Sequence, residues 1–218
     1  MRFILLISLS ILTFSNAVIS QYSLVVELSN SRVSKEHKVF KIYIVLQDKT
    51  DRVSAVFGTD LHPISINVPE GVFNSEFNAS WSASGINPRF FELAPELEDD
   101  SYATIGLTGP ASLSSSGSED PTMVEDKLQP WSVFFKNNGA QSLLISTRTG
   151  GSWFILNTAI NGVAGKKKKV LLASITTTGI IYGNINVQVF PLGEGANSEK
   201  ITFEFNGVGT TQGVPFSK

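Results

Sequence analysis

The sequence predicts an all-β protein, a single-domain β-sandwich of about ten short, mainly antiparallel strands. Three observations predict it. Apolar, often β-branched residues alternate with polar ones in segment after segment, the period-of-two pattern of strands buried on one face. Turn residues, including 18 Gly and 9 Pro, fall mostly between those segments at near-regular spacing. No convincing amphipathic helix accompanies them.

The elements follow in order. Arg2 gives residues 1–20 a positive start. Phe3 to Phe14 is an apolar run broken only by Ser8, Ser10 and Thr13, and Val18-Ile19-Ser20 offers a cleavage site before Gln21. This reads as a secretory signal peptide, because a membrane span needs ~20 apolar residues. The expected location is therefore extracellular, secreted or at the cell surface. Removing the leader leaves 198 of 218 residues, 21–218, enough for one all-β domain. Loss of Arg2 takes 17 basic residues to 16 against 19 acidic ones, a net charge of −3. That balance supplies no bulk field for nucleic acid or an anionic membrane. With no cysteine, thiol catalysis, thiolate metal sites and disulfides are excluded. No later apolar run is long enough to span a bilayer, so no integral membrane segment is expected after cleavage.

Strands are predicted at Tyr22–Leu28, Val39–Leu46, Val53–Phe57 and Pro63–Val68. Pro63 is tolerated as a first strand residue because it need not donate there. Glu70 to Phe91 fits neither period and reads as a long aromatic loop holding Phe73, Phe77, Trp81, Ile86, Phe90 and Phe91. Its aromatics are expected to plug an open edge of the sandwich. After the acidic run Leu93–Asp100, a short strand is predicted at Tyr102–Leu107. Residues 109–127, rich in Ser, Gly and acid, read as a flexible surface loop. Further strands are predicted at Trp131–Phe135, Ser142–Ser146 and Trp153–Leu156. Leu171 to Phe190 reads as a hairpin around Thr178-Gly179, and Lys200–Phe205 as the last strand.

The chemistry-bearing residues are few. His37 and His62 are the two imidazoles. Both fall in loops, and no nucleophile elbow accompanies them. Glu96, Glu98, Asp99 and Asp100 are the candidate calcium ligands, because calcium takes several oxygens. Adjacent carboxylates on an extended chain point apart, however, and no loop motif spaces these. No other cofactor is expected. Trp81, in the polar setting Asn78 to Gly85, and Tyr102 are candidate ligand-binding aromatics, since amphipathic rings serve at interfaces; Trp131 and Trp153 are assigned to the core. Lys166, Lys167, Lys168 and Lys169 offer a polyanion contact. As strand residues they would alternate, leaving two on each face, and would also guard an edge. Asn78-Ala79-Ser80 is a glycosylation sequon, which suggests a surface position.

Several segments, among them VFGTDLHPISINVPEGVFN, INPRFFELAPELEDDSYATIGL, QPWSVFF, TGGSWFILN and ITFEFNG, occur in an order that resembles a β-rich domain of secreted surface proteins in marine bacteria and algae. The resemblance covers about Val39 to Gly207. It implies a module without assigned activity, often repeated in larger chains, and brings no catalytic residues. Two departures are the lysines after the NGxAG turn, where the similar sequences carry acidic or mixed residues, and the absence of further repeats.

The expectation is a secreted non-catalytic β-sandwich module, not an enzyme. Its role would be structural or adhesive at the cell surface or in extracellular matrix. Its partner would be matrix, a surface polysaccharide or another surface protein. The alternatives are a carbohydrate-binding module and a glycoside hydrolase built on a carboxylate pair.

Overall fold

The computed structural model describes residues 21–217; the signal peptide read at residues 1–20 lies outside them. The described chain is all-β, with thirteen strands, short 3₁₀ turns and no α-helix. The strands are β1 (Ser23–Asn30), β2 (Lys38–Val45), β3 (Arg52–Gly58), β4 (Ile64–Asn67), β5 (Tyr102–Ala103), β6 (Thr122–Val124), β7 (Ser142–Ile145), β8 (Gly151–Phe154), β9 (Lys169–Thr177), β10 (Tyr182–Phe190), β11 (Glu199–Asn206), β12 (Gly209–Gln212) and β13 (Val214–Pro215).

They form two antiparallel sheets. The smaller has the order β12-β1-β2-β9-β5, and the larger β13-β11-β10-β3-β8-β6, with β4 and β7 as a branch. The branch arises because β10 is shared along its length. Tyr182–Asn184 pairs with β4, and Asn186–Phe190 pairs with β3. Inward residues of both sheets meet in one core. Leu24, Ile42, Ile44, Leu172 and Ile175 come from the smaller sheet, and Val56, Ile66, Trp153, Val187 and Phe203 from the larger. Each such side chain contributes roughly 1.5–3 kcal/mol by leaving water.

Trp153 also ties the sheets together by a polar contact. Its indole N–H donates to the carbonyls of Leu172 and Thr104, at 3.2 Å each. The Leu172 carbonyl is reachable because β9 bulges there: Ile42 lies opposite Ala173 and Tyr43 opposite Leu171, which leaves Leu172 as the extra residue.

Four local expectations change. Leu171–Phe190 is not a hairpin. Its first half, β9, pairs with β2 and β5, and its second half, β10, with β11, β3 and β4. The residues between them carry the chain across the core from one sheet to the other. Trp131–Phe135 is not a strand; residues 132–135 form a 3₁₀ turn with Ser132, Phe134 and Phe135 buried. The strand predicted over Tyr102–Leu107 stops at Ala103. The segment 109–127 contains a 3₁₀ turn at Ala111–Leu113 and the strand β6, which pairs with β8.

Candidate functional site

Between β4 and β5 the chain makes a long excursion of turns, and part of it covers the outer face of the smaller sheet. Alternation along β2 puts Ile42 and Ile44 inside and Lys41 and Tyr43 outside. The bulge keeps Leu171 outward beside Tyr43. Onto this face fold Ala83, Ile86, Ala94, Leu97, Tyr102 and Leu107, which with Leu171 make a second, smaller apolar cluster. Three 3₁₀ turns build it, at Ala83–Gly85, Pro88–Phe90 and Pro95–Asp99. Ser82 and Asn87 cap the first two by accepting from Ser84 N–H and Arg89 N–H.

A buried carboxylate holds the excursion in place. Asp100 is 1 % exposed. It accepts hydrogen bonds from Ser75 N–H at 2.8 Å and from the Asn78 side-chain amide at 2.6 Å. Burial pushes its carboxyl up to about 7, against the opposing pull of hydrogen bonds from Asn78, Ser75 and Ser101. This overturns the surface position suggested by the Asn78 sequon. Asn78 is 6 % exposed, because its amide is the donor that a buried carboxylate requires.

The other acidic candidates are drawn elsewhere. Glu98 pairs with Arg32 at 2.7 Å. Asp99 accepts from the Ser31 hydroxyl at 3.2 Å and from Arg32 N–H. Glu96 sits half-buried on the same 3₁₀ turn. The four share a turn without converging: among the described residues no three acidic or histidine side chains are grouped to hold a metal ion. The structure therefore does not assemble Glu96, Glu98, Asp99 and Asp100 as calcium ligands.

Beside the second cluster lies a groove of about 320 Å³. Phe91, Leu107 and Pro110 supply apolar walls, Lys41 and Glu98 supply charge, and Tyr102 lines it. Lys41 makes no ion pair among the described residues, where the two pairs are Arg32–Glu98 and Lys169–Glu27. Tyr102 is only 2 % exposed. Burial raises its hydroxyl above the ordinary tyrosine range, opposed by a hydrogen bond with Ser174. It is part of the groove's foundation rather than an open platform.

Trp81 does not join Tyr102. It is half-buried against the main core, edge-on to Trp131 at 5.1 Å and 84°. Trp131 in turn lies 5.2 Å from Trp153. The three tryptophans form one column, whereas Tyr102 belongs to the cluster on the outer face. Trp131 and Trp153 are core residues, at 2 % and 1 % exposure.

The lysines divide differently from a strand's alternation. Lys166, Lys167 and Lys168 occupy a turn and are all exposed; Lys169 begins β9. Lys169 pairs with Glu27 and lies 3.7 Å over the Tyr43 ring. His37 shares a hydrogen bond with the Ser34 hydroxyl at 2.9 Å, and exposed His62 stacks on Phe216 at 4.0 Å.

Sequence reasoning missed Lys41 and Phe91 as groove residues. Lys41 had a legible signal, as a charge sharing its strand face with Tyr43. Phe91 had none beyond membership of the aromatic loop. Together these features define an all-β, sandwich-like protein with a loop-built groove on one sheet. No family model, no curated protein and no solved structure matches the chain.

Proposed function

We propose that the protein is a secreted, non-catalytic β-sandwich module with an adhesive or structural role at the cell surface or in extracellular matrix, and that it makes contact through the groove on the smaller sheet. The observation carrying this reading is the groove itself. An excursion of 3₁₀ turns, two of them capped and the whole fastened by Asp100, joins with the segment after β5 to set apolar walls beside an unpaired Lys41 and the Glu98–Arg32 pair. Mixed apolar and polar walls on a rigid sheet suit recognition of a polar ligand.

Carbohydrate is the favoured ligand class, since Phe91 can cover a sugar's apolar face while Lys41 and Glu98 bind its polar groups. The glycosidase alternative gains no support here, because Glu98 is the one acidic side chain lining the groove and that chemistry takes two. The test is binding of the folded protein to an array of uncharged surface and matrix glycans, with Phe91→Ala and Lys41→Ala as variants. The expected result is glycan binding lost in both variants at unchanged secondary structure. Binding that survives both would remove the groove from the proposal, and turnover of a bound glycan would remove the non-catalytic reading.

A further inference from the structure

Five lysines meet at one end of the sandwich, and one of them is remote in sequence from the other four. The loop 46–51 and the turn 164–168 are bound backbone to backbone. Leu46 N–H donates to Lys168 O at 2.8 Å, Gly165 N–H to Lys49 O at 2.9 Å, and Ala164 N–H to Asp51 O at 2.9 Å. Lys49 therefore stands beside Lys166, Lys167 and Lys168, and all four are exposed. None makes an ion pair among the described residues; the fifth, Lys169, is taken by Glu27.

Asp51 holds this end together. It is 2 % exposed, and its carboxylate accepts from Gln47 N–H, Asp48 N–H and Leu192 N–H at 2.8–3.0 Å. A third loop is thereby hung on the same residue. Asp48 lies close enough to the lysines to feel their charge. Hydrogen bonds from Thr50, and then the charges of Lys168 and Lys49, hold it below the usual carboxylate range.

A second observation concerns the backbone. Lys168 has φ 51°, and it and Leu192 are the two non-glycine residues with positive φ among those described. The same turn uses glycine at Gly165, with φ 63°. Left-handed backbone disfavours a side chain, so glycine at 168 would relieve the turn while removing one of its ammonium groups.

We propose that this end of the sandwich is a docking surface for a linear polyanion, a sulfated or carboxylated polysaccharide, held by Lys49, Lys166, Lys167 and Lys168. Ammonium groups are compact point charges without the planar fork of arginine, so they suit anionic groups strung along a flexible chain. A narrow chain can follow the two backbone-joined loops that carry Lys49, Lys166, Lys167 and Lys168. The surface is separate from the groove and takes only its extracellular setting from the function proposed above.

The test is titration of the full folded protein with dextran sulfate and with neutral dextran of equal length, at two salt concentrations. The wild type is expected to bind only the sulfated chain, more weakly at high salt. Neutralising Lys166, Lys167 and Lys168 together to Gln should weaken binding at least tenfold with Tm unchanged. Neutralising exposed Lys35, Lys127 and Lys136 instead, or replacing Phe91 by Ala, should leave dextran sulfate binding within twofold. Lys168→Gly should raise Tm while lowering affinity. Equal losses from the two triple variants would overturn the proposal, as would lysine-dependent binding to phosphatidylserine vesicles without binding to dextran sulfate. Loss with Phe91→Ala alone would move the polyanion to the groove.

Discussion

Asp100→Asn isolates the effect of one buried carboxyl on stability. In the folded chain burial raises this group from the usual 3.8 to about 7. Its folded value lies above its unfolded one, so its stabilising contribution is fully present below pH ~4 and is lost as pH rises through ~7. Between those limits the native state retains a proton that the unfolded chain has released, and unfolding becomes easier with each step in pH. At 1.36 kcal/mol per pH unit the whole interval is worth roughly 4 kcal/mol, an upper bound for a carboxylate that still accepts hydrogen bonds. For a domain of this size that corresponds to a fall in Tm of about 10 °C between pH 4 and 8.

Asn keeps the shape and removes the titration. Its carbonyl can accept from Ser75 N–H, while the contact with the Asn78 amide is lost, at a pH-independent cost of about 1–3 kcal/mol. Thermal and urea melts of both proteins at unit steps from pH 4 to 8 provide the measurement. The wild type should lose stability relative to the variant as pH rises, and the two should converge or cross near neutrality. Glu36, Asp48 and Asp126 are held low and act in the opposite sense, but equally in both proteins. Parallel pH profiles would refute the account of Asp100.

Three further outcomes follow from the geometry. Gly183→Ala places a Cβ 2.0 Å from Ser65 O at a φ of +154°, and is expected to destabilise by about 2–3 kcal/mol, read as a lower urea midpoint. Trp153→Phe removes the N–H that joins the sheets through Leu172 O and Thr104 O, and should cost about 2 kcal/mol in the same assay. Expressed in a glycosylating secretory host, the cooperatively melting fraction should carry no glycan at Asn78, because that amide is buried on Asp100; intact-mass measurement checks this.

Strand positions were legible where one face meets the core and the other meets water. In β4 and β11, and in β2 from Phe40 onward, burial alternates along the strand as the residue types lead one to expect. Trp131–Phe135 misled because four buried side chains in five residues also describe a 3₁₀ turn whose rings pack among core aromatics. Strands β6, β12 and β13 were missed because their side chains are exposed or half-buried. Their pairing comes from backbone bonds at sheet edges, which side-chain periodicity does not record. The candidate site was less legible still. A groove is a relation between Lys41 on a strand and Phe91 in a turn fifty positions later, and no local pattern encodes such a distance. The lysine run was visible, but Lys49 beside it was not, because the bonds joining 46–51 to 164–168 are made by main-chain groups.

The crossing between β9 and β10 shows why strand identity and strand partnership are different problems. Two alternating strands joined by Thr178-Gly179 suit a hairpin as well as an arch, because both bury one face of each strand. What decides between them is where the remaining backbone groups find partners. Thr177 donates its hydroxyl to Gly71 O at 2.8 Å, and Ile181 O accepts from Gly207 N–H at 2.7 Å. The two ends of the crossing are thus held by segments far away in sequence. Residues 171–177 are all buried, as a strand covered by the core on one side and by the excursion on the other must be. A strand of a half-solvated hairpin would leave alternate residues in water. The unbroken burial of β9 is therefore the imprint of the excursion that builds the groove: Leu171 contributes to its floor cluster, while Leu172, next in sequence, faces Trp153 in the main core.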